Sequence, residues 1–311
     1  MSRLFKKKEQ EELFVTSMVR TTSTSRKVFV AINTIILTIA FLSAVLPVIH
    51  IFAMSLSHNQ AVVAGQVGLW PVRFTTVPYR HIFNNPQFFR SFFVSIQRVL
   101  MGVPFNMLMI ILIAYPLSRS SHQFTARRYY VWFFLFAMLF QGGLVPTFMI
   151  VRATGIFDTR WALILPSAVS VFNMLILMNF FRNLPAELSE SAMMDGAGHM
   201  AILFKIFLPL SKAALATLVL FTFVFHWNSW FDGLIFISSR SLRPLQTYLR
   251  EILTTPDLAL MDADERRLWA ELNLRSIQAA QIFVTMTPIL IVYPFLQKYF
   301  TKGITLGSVK G

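Results

Sequence analysis

Apolar residues run along this chain in long blocks, separated by short stretches that are polar and mostly basic. Six blocks, roughly 28–54, 91–117, 129–151, 161–181, 206–236 and 276–297, reach the length a helix needs to cross a bilayer, about 20 residues. Helix is the expected state throughout, because an unpaired backbone group in hydrocarbon is too costly. Pro47, Pro104, Pro146, Pro166, Pro209, Pro288 and Pro294 lie in or beside the blocks. Neighbouring helices can re-satisfy the carbonyls they free, so these prolines do not veto the assignment. The fifth block holds polar residues near its end, which leaves its limits soft. The first block is far longer than the apolar stretch of a secretory signal, about 7–15 residues, and no small-residue cleavage site follows it. It is read as an uncleaved first span. The pattern predicts an all-α integral membrane protein with six transmembrane helices, divided into a basic N-terminal segment (1–27), a transmembrane domain (28–300) and a tail (301–311).

The polar interval between the fourth and fifth blocks has a pattern of its own. Pro185 suits a first helical turn, where its missing N–H costs nothing. Glu187 follows where a negative charge meets the helix dipole favourably. Leu184, Leu188 and Ala192 recur at i, i+4 and i+8 and form one apolar stripe. Asp195-Gly196 can end the helix, since glycine takes the left-handed position after a helix without a Cβ penalty. A second helix should start near Ala197 and run into the membrane at Leu208-Pro209. On these grounds alone the element is either a surface for another protein, in the helix-in-groove manner, or a connector between spans.

Charge orients the chain. The nine lysines, Lys6, Lys7, Lys8, Lys27, Lys205, Lys212, Lys298, Lys302 and Lys310, all fall on one side of the six-span arrangement, with Arg119, Arg127 and Arg128. That side is expected to be cytoplasmic, with both termini inside. The 237–275 loop falls outside; its six arginines are matched by six carboxylates, and long loops translocate largely regardless of charge. The overall charge of +14 is thus a matter of topology rather than of nucleic-acid binding, which would need a basic stripe on a soluble fold. A hydrophobic fraction of 55% and a mean hydropathy of +0.60 agree with a membrane protein. The chain has no cysteine, which excludes disulfides and thiolate chemistry.

The stretch "ESAMMDGAGHMAILFKIFLP" (190–209) resembles the EAA motif of ABC-importer permeases, which runs E-A-A, D-G-A, an aromatic, then I-x-L-P. Glu190, Ala192, Asp195, Gly196, Ala197, Phe204, Ile206, Leu208 and Pro209 occupy those places; Ser191 replaces the middle alanine and Leu203 stands where an aromatic is frequent. "QGGLVPTFMIVRATGIFDTRWALILP" (141–166), "FHWNSWFDGLIFI" (225–237), "PLQTYLREIL" (244–253) and "PFLQKYFTKGITLGSVKG" (294–311) are similar to the oligosaccharide and polysaccharide subgroup of carbohydrate permeases, alginate-type importers among them. The likeness spans about 28–311.

The resemblance implies a type I ABC importer permease fold with a cytoplasmic coupling helix between spans 4 and 5. It implies a transport subunit rather than an enzyme, in the bacterial cytoplasmic membrane. Its partners would be a homologous second permease, two cytosolic ATPase subunits and an extracytoplasmic solute-binding protein that delivers an oligosaccharide, which the 237–275 loop would help receive. ATP and Mg would sit on the partner ATPase, with no cofactor or metal on this chain. The residues agree where they can: there is no G-x-x-x-x-G-K-[ST] loop and no H-E-x-x-H. Glu190, Ala192, Asp195, Gly196, Ala197, Phe204, Leu208 and Pro209 become the expected ATPase-coupling residues.

For the sugar pathway the candidates are Trp227, Asn228, Trp230 and Asp232, a polar-aromatic cluster in the fifth span, and Asn173 in the fourth. Intramembrane ionisable groups are functional candidates by default. An interfacial aromatic belt is the competing account of the cluster, and a helix–helix hydrogen bond that of Asn173. Arg98 either pairs internally or snorkels outward. An ion-coupled secondary sugar transporter is the alternative function, but Asp232 is the only acid within the six spans, which is thin for a proton path. Asp262-Ala-Asp264 has the D-x-D form of a glycosyltransferase metal site, but in a loop of mixed charge it reads as a solvated face.

Overall fold

The structure, a computed structural model, describes residues 24–253 and 275–307. Among the described residues it is helical throughout, with no strand beyond one isolated bridge between Ser57 and Phe74. The long helix α1 (Thr24–Ser55) buries none of its most apolar window inside the chain; Phe29, Ile35, Ile39 and Phe41 all point outward. Two short helices, α2 (Asn59–Val63) and α3 (Val77–Phe83), lead to α4 (Pro86–Ser118). The start of α4 is set locally. Asn85 accepts hydrogen bonds from the backbone N–H groups of Gln87 and Phe88, and Pro86 fills the first position, where an N–H would be orphaned anyway.

The next three apolar blocks are not straight helices. The third is α5 (Arg127–Leu139) and α6 (Leu144–Ala153), bent by 113°. The break falls at Gly142-Gly143, ahead of Pro146. The fourth begins as 3-10 turns over Arg160–Leu163 and Leu165–Ser167, then turns by 51° into α7 (Val171–Arg182). Pro166 interrupts there, and the Ser170 hydroxyl accepts the Asn173 N–H to start α7 afresh. After α8 (Ala186–Met194) come α9 (His199–Ile202), a π turn over Leu203–Phe207, in which the fifth block begins, and α10 (Leu208–Leu210). This stretch bends by 83° into α11 (Lys212–Asn228). The π turn is the local price of Pro209, which cannot supply the N–H an α-helical ladder needs. Then come α12 (Phe231–Phe236), α13 (Leu245–Leu253) and α14 (Arg275–Gly307). Among the described residues, by length and composition, three helices can cross a membrane, or up to six if each bent pair counts as one span.

α4 is the central element. Toward its C-terminal end Ile110, Ala114 and Leu117 pack with Met174, Leu177 and Phe181 of α7, with Ile202 and Phe207, and with Leu218 of α11. Toward its N-terminal end Phe88 and Val99 pack with Trp227 of α11, with Leu245, Tyr248 and Leu249 of α13, and with Ile277 of α14. The described part of the 237–275 loop is therefore not free: α13 is packed onto α4 and α14.

Candidate functional site

The elbow after α8 is built by a hydrogen-bond pattern that explains the spacing of its residues. The Ala197 N–H donates to the Ala192 carbonyl at 2.9 Å and the Gly196 N–H to the Met193 carbonyl at 3.0 Å. These are the two bonds of a Schellman cap. Ala192 is the third residue from the end, Asp195 the cap, Gly196 the left-handed residue (φ 79°) and Ala197 the one beyond. An ordinary side chain at that φ costs about 1–2 kcal/mol, which is why glycine stands there. Ala192 and Ala197, brought together by the cap, both pack against the core between α4 and α7. The outer surface of the same element is left uncovered. Glu190 and Asp195 are exposed and form no ion pair among the described residues. Met194 is 89% exposed, Met200 63% and Phe204 54%. Leu208 is half-buried on the core and Pro209 exposed.

The second site is a buried polar chain that crosses from α4 to α11 and α12. The Arg98 side chain is 1% exposed. Its guanidinium makes a two-pronged ion pair with Asp232, one arm at 3.1 Å and the other shorter. The arm at 3.1 Å also reaches the Ser229 carbonyl at 3.4 Å, and the Nε–H donates to His226 Nδ1 at 3.3 Å. A guanidinium only donates, so that nitrogen accepts. On the far side of the imidazole, Nε2 lies 3.1 Å from the Asn106 amide nitrogen, which donates to the Ser167 carbonyl at 3.0 Å. Gly102 is the helix position that lets the ring in: a Cβ there would stand 2.6 Å from His226 Nε2. Asp232 also accepts the Gly233 N–H at 2.9 Å, holding the first turn of α12.

Of the residues singled out for the pathway, Asn228, Trp230 and Asp232 line one cavity of about 530 Å³, with Phe225, Ser229 and Phe231. Trp227 does not behave as a lining residue. It is 2% exposed and packs among Phe92 and Phe223, and its indole N–H donates to the Thr285 carbonyl at 3.1 Å. Asn173 is buried at 7% exposure near the start of α7, on a different element. Arg98 takes the internal-pairing option. Neither His226 nor Asn106 stands out in the sequence, where a lone histidine or asparagine in a span carries no signal of its partner.

Outside the spans, Asp158 ties two turns together. Its carboxylate accepts the Ser238 and Ser239 N–H groups at 3.0 and 2.9 Å and the Ser239 hydroxyl, and its own N–H donates to the Phe236 carbonyl. Burial pushes its carboxyl up, but these bonds outweigh it and hold the group below its ordinary range. Asp262, Asp264 and most of the segment expected to meet a binding protein lie outside the described residues.

No protein-family model matches the chain. It is 40% identical over 270 residues to the polygalacturonan/rhamnogalacturonan transport system permease protein YtcP of Bacillus subtilis (strain 168), covering 87% of this chain and 94% of that protein. It is 31% identical to the inner membrane ABC transporter permease protein YcjP of Escherichia coli (strain K12), over 78% of this chain and 83% of that one. The fold matches a chain in the crystal structure of a bacterial ABC transporter involved in the import of the acidic polysaccharide alginate, with a TM-score of 0.80 and 32% identity, over 90% of this chain and 99% of that one.

Proposed function

The chain belongs to the sugar ABC-transporter permeases, and from that premise we propose how its parts divide the work of an ATP-driven oligosaccharide importer. It is a multi-pass protein of the inner membrane. In the proposed arrangement each bent pair makes one span, giving six across 28–300, with 1–27, 301–311 and both termini in the cytoplasm. α8 is the coupling helix. A cytosolic ATPase, carrying ATP and Mg, docks on it; a second, homologous permease completes the pathway; a solute-binding protein delivers the sugar from outside.

The observation that carries this reading is the surface of the elbow. A helix end held rigid by a Schellman cap on one side presents Glu190, Met194, Met200 and Phe204 uncovered on the other. Exposed apolar side chains clustered with a charged rim mark a protein-binding surface. Closure of the ATPase pair would push on this rigid element, and the α4, α7 and α11 segments packed behind it would swing between inward- and outward-facing states, a rigid-body switch. The sugar would pass the cavity at Asn228, Trp230 and Asp232, where aromatic faces and hydrogen-bonding groups meet.

The test is co-purification and uptake. Gly196→Val, which forces a β-branched residue to φ 79°, and Glu190→Lys should leave the protein inserted in the membrane but weaken ATPase association and abolish transport. Wild-type association and uptake in both variants would remove α8 from the coupling role.

A further inference from the structure

The loop after α4 and the start of α8 enclose a cleft of about 420 Å³, which shares only Glu190 with the coupling residues. Three arginines line it, Arg119, Arg127 and Arg182, with the hydroxyl-bearing Ser118, Ser120 and Ser189. Each cation is positioned. Arg119 stacks over the rings of Tyr115 and Phe207, 4.8 and 4.2 Å from their centroids, and donates to Ser118. Arg127 spends its Nε–H on the Leu117 carbonyl at 2.6 Å, which leaves its terminal nitrogens over. Arg182 ends α7 close enough to repel Arg127. Among the described residues none of the three reaches a carboxylate. Glu190 is the one acid on the cleft wall, and it is not within ion-pair distance. Like charges held side by side in a concave site attract an anion.

The position of the cleft says which anion. Ser118 ends one membrane-crossing helix, Arg127 begins the next half-span and Arg182 ends a third. Immediately beyond Arg127, Tyr129, Tyr130 and Trp132 are 78%, 51% and 63% exposed. Tyrosine and tryptophan turned outward at a helix end are the belt that sits at headgroup level. We propose that this cleft binds the phosphate of an anionic phospholipid from the cytoplasmic leaflet. Arg127 and Arg182 bracket the phosphate and Arg119 backs them, a geometry suited to guanidinium forks. Pro185, Ala186, Ser189 and Glu190 also line the cleft, so the bound headgroup steadies the first turns of α8. The inference goes beyond the sugar-import reading and does not depend on the sugar.

The transporter, purified with its partner subunits, is placed in nanodiscs of phosphatidylcholine with or without phosphatidylglycerol. Phosphatidylglycerol retained through native mass spectrometry and the melting temperature are read for wild type, Arg127→Gln/Arg182→Gln and Arg127→Lys/Arg182→Lys. Wild type should retain several-fold more phosphatidylglycerol than the Gln variant and melt higher when it is present. The Lys variant, which keeps the charge, should recover part of both effects. Soluble glycerol phosphate or inorganic phosphate should give no shift. Equal retention and an equal melting shift in wild type and the Gln variant would overturn the site. So would a matching shift from soluble phosphate, which would make it a site for a free anion. Loss of ATPase co-purification in the Gln variant, with phosphatidylglycerol retention unchanged from wild type, would reassign the arginines to an acidic surface of the ATPase.

Discussion

Removing Asp232 should hurt this protein more than removing Arg98, although the two are partners. Arg98 lies seven residues into the 91–117 block, about 10 Å along the helix axis at 1.5 Å per residue, within a hydrocarbon layer about 30 Å thick. Its side chain is 1% exposed, whereas that of Asp232 is 22% exposed at the edge of the adjoining cavity. Asp232→Asn strands a cation that water cannot reach, leaving it one neutral carbonyl, His226 and whatever the asparagine offers. Breaking a buried pair in this way costs about 3–5 kcal/mol. Arg98→Met strands a carboxylate that the cavity can hydrate and that keeps the Gly233 N–H; the loss should be nearer 1–3 kcal/mol, the cost of one unsatisfied polar group. The double variant Arg98→Met/Asp232→Leu removes both charges and should recover most of the loss, since a well-packed apolar replacement of a buried pair is often neutral. Equilibrium unfolding of the four proteins in mixed micelles reads these losses. Losses under about 1 kcal/mol in both single variants would mean the pair is hydrated like a surface bridge, and the reasoning would fail. A larger loss for Arg98→Met than for Asp232→Asn would refute the asymmetry.

Further outcomes follow from single groups. Gly102→Ala places a Cβ 2.6–2.9 Å from three atoms of the His226 ring, so the buried ring or the helices that carry it must shift; expect a loss of about 1–3 kcal/mol, read as a melting shift, that His226→Ala in the same chain largely relieves. Burial pushes the Tyr248 phenol up to about 12. The folded state therefore favours the protonated form. That contribution is whole below about pH 10 and fades as pH rises from there through about 12; a Tyr248→Phe protein should lose less stability between pH 9 and pH 11, on the order of 1–2 kcal/mol. Asp158→Ala removes three accepted hydrogen bonds and should lower the melting temperature at neutral pH. Because the folded carboxyl is held low, the difference from wild type should shrink as pH falls below about 4, and a gap that persists in acid would mean the bonds are not what the carboxylate contributes. Arg73, Arg80 and Arg90 lie in a 55–90 segment without an acid. If they draw in an acidic oligosaccharide, Arg→Gln at all three should reduce its uptake selectively and remove the salt dependence. An equal loss for a matched neutral sugar points instead to docking of the binding protein or to headgroup anchoring.

How far each of these features was legible depends on the range over which it is determined. The elbow after α8 is set by neighbours no more than five residues apart, and sequence carries it: Asp195-Gly196 ends the helix where expected, and Ala192 and Ala197 are small because the cap brings them onto the core. The apolar blocks were legible too, because a bilayer demands length and hydrophobicity and both are written locally. Their shape was not. In sequence the prolines are compatible with continuous spans, and the bends of 113°, 51° and 83° depend on what each half packs against. The buried polar chain was least visible. Arg98 and Asp232 are 134 residues apart and Asn106 and His226 are 120 apart, so no local pattern pairs them. Trp227 and Trp230 read alike in sequence, yet α11 ends at Asn228 and the extended Ser229 carries Trp230 to the cavity while Trp227 stays in the core. Sequence states what a residue can do over a turn or two of helix. Which distant partner desolvates or neutralises it is decided only when α4, α11 and α12 close on one another, because burial is a property of the whole packing and charge pairing in a low dielectric follows from it.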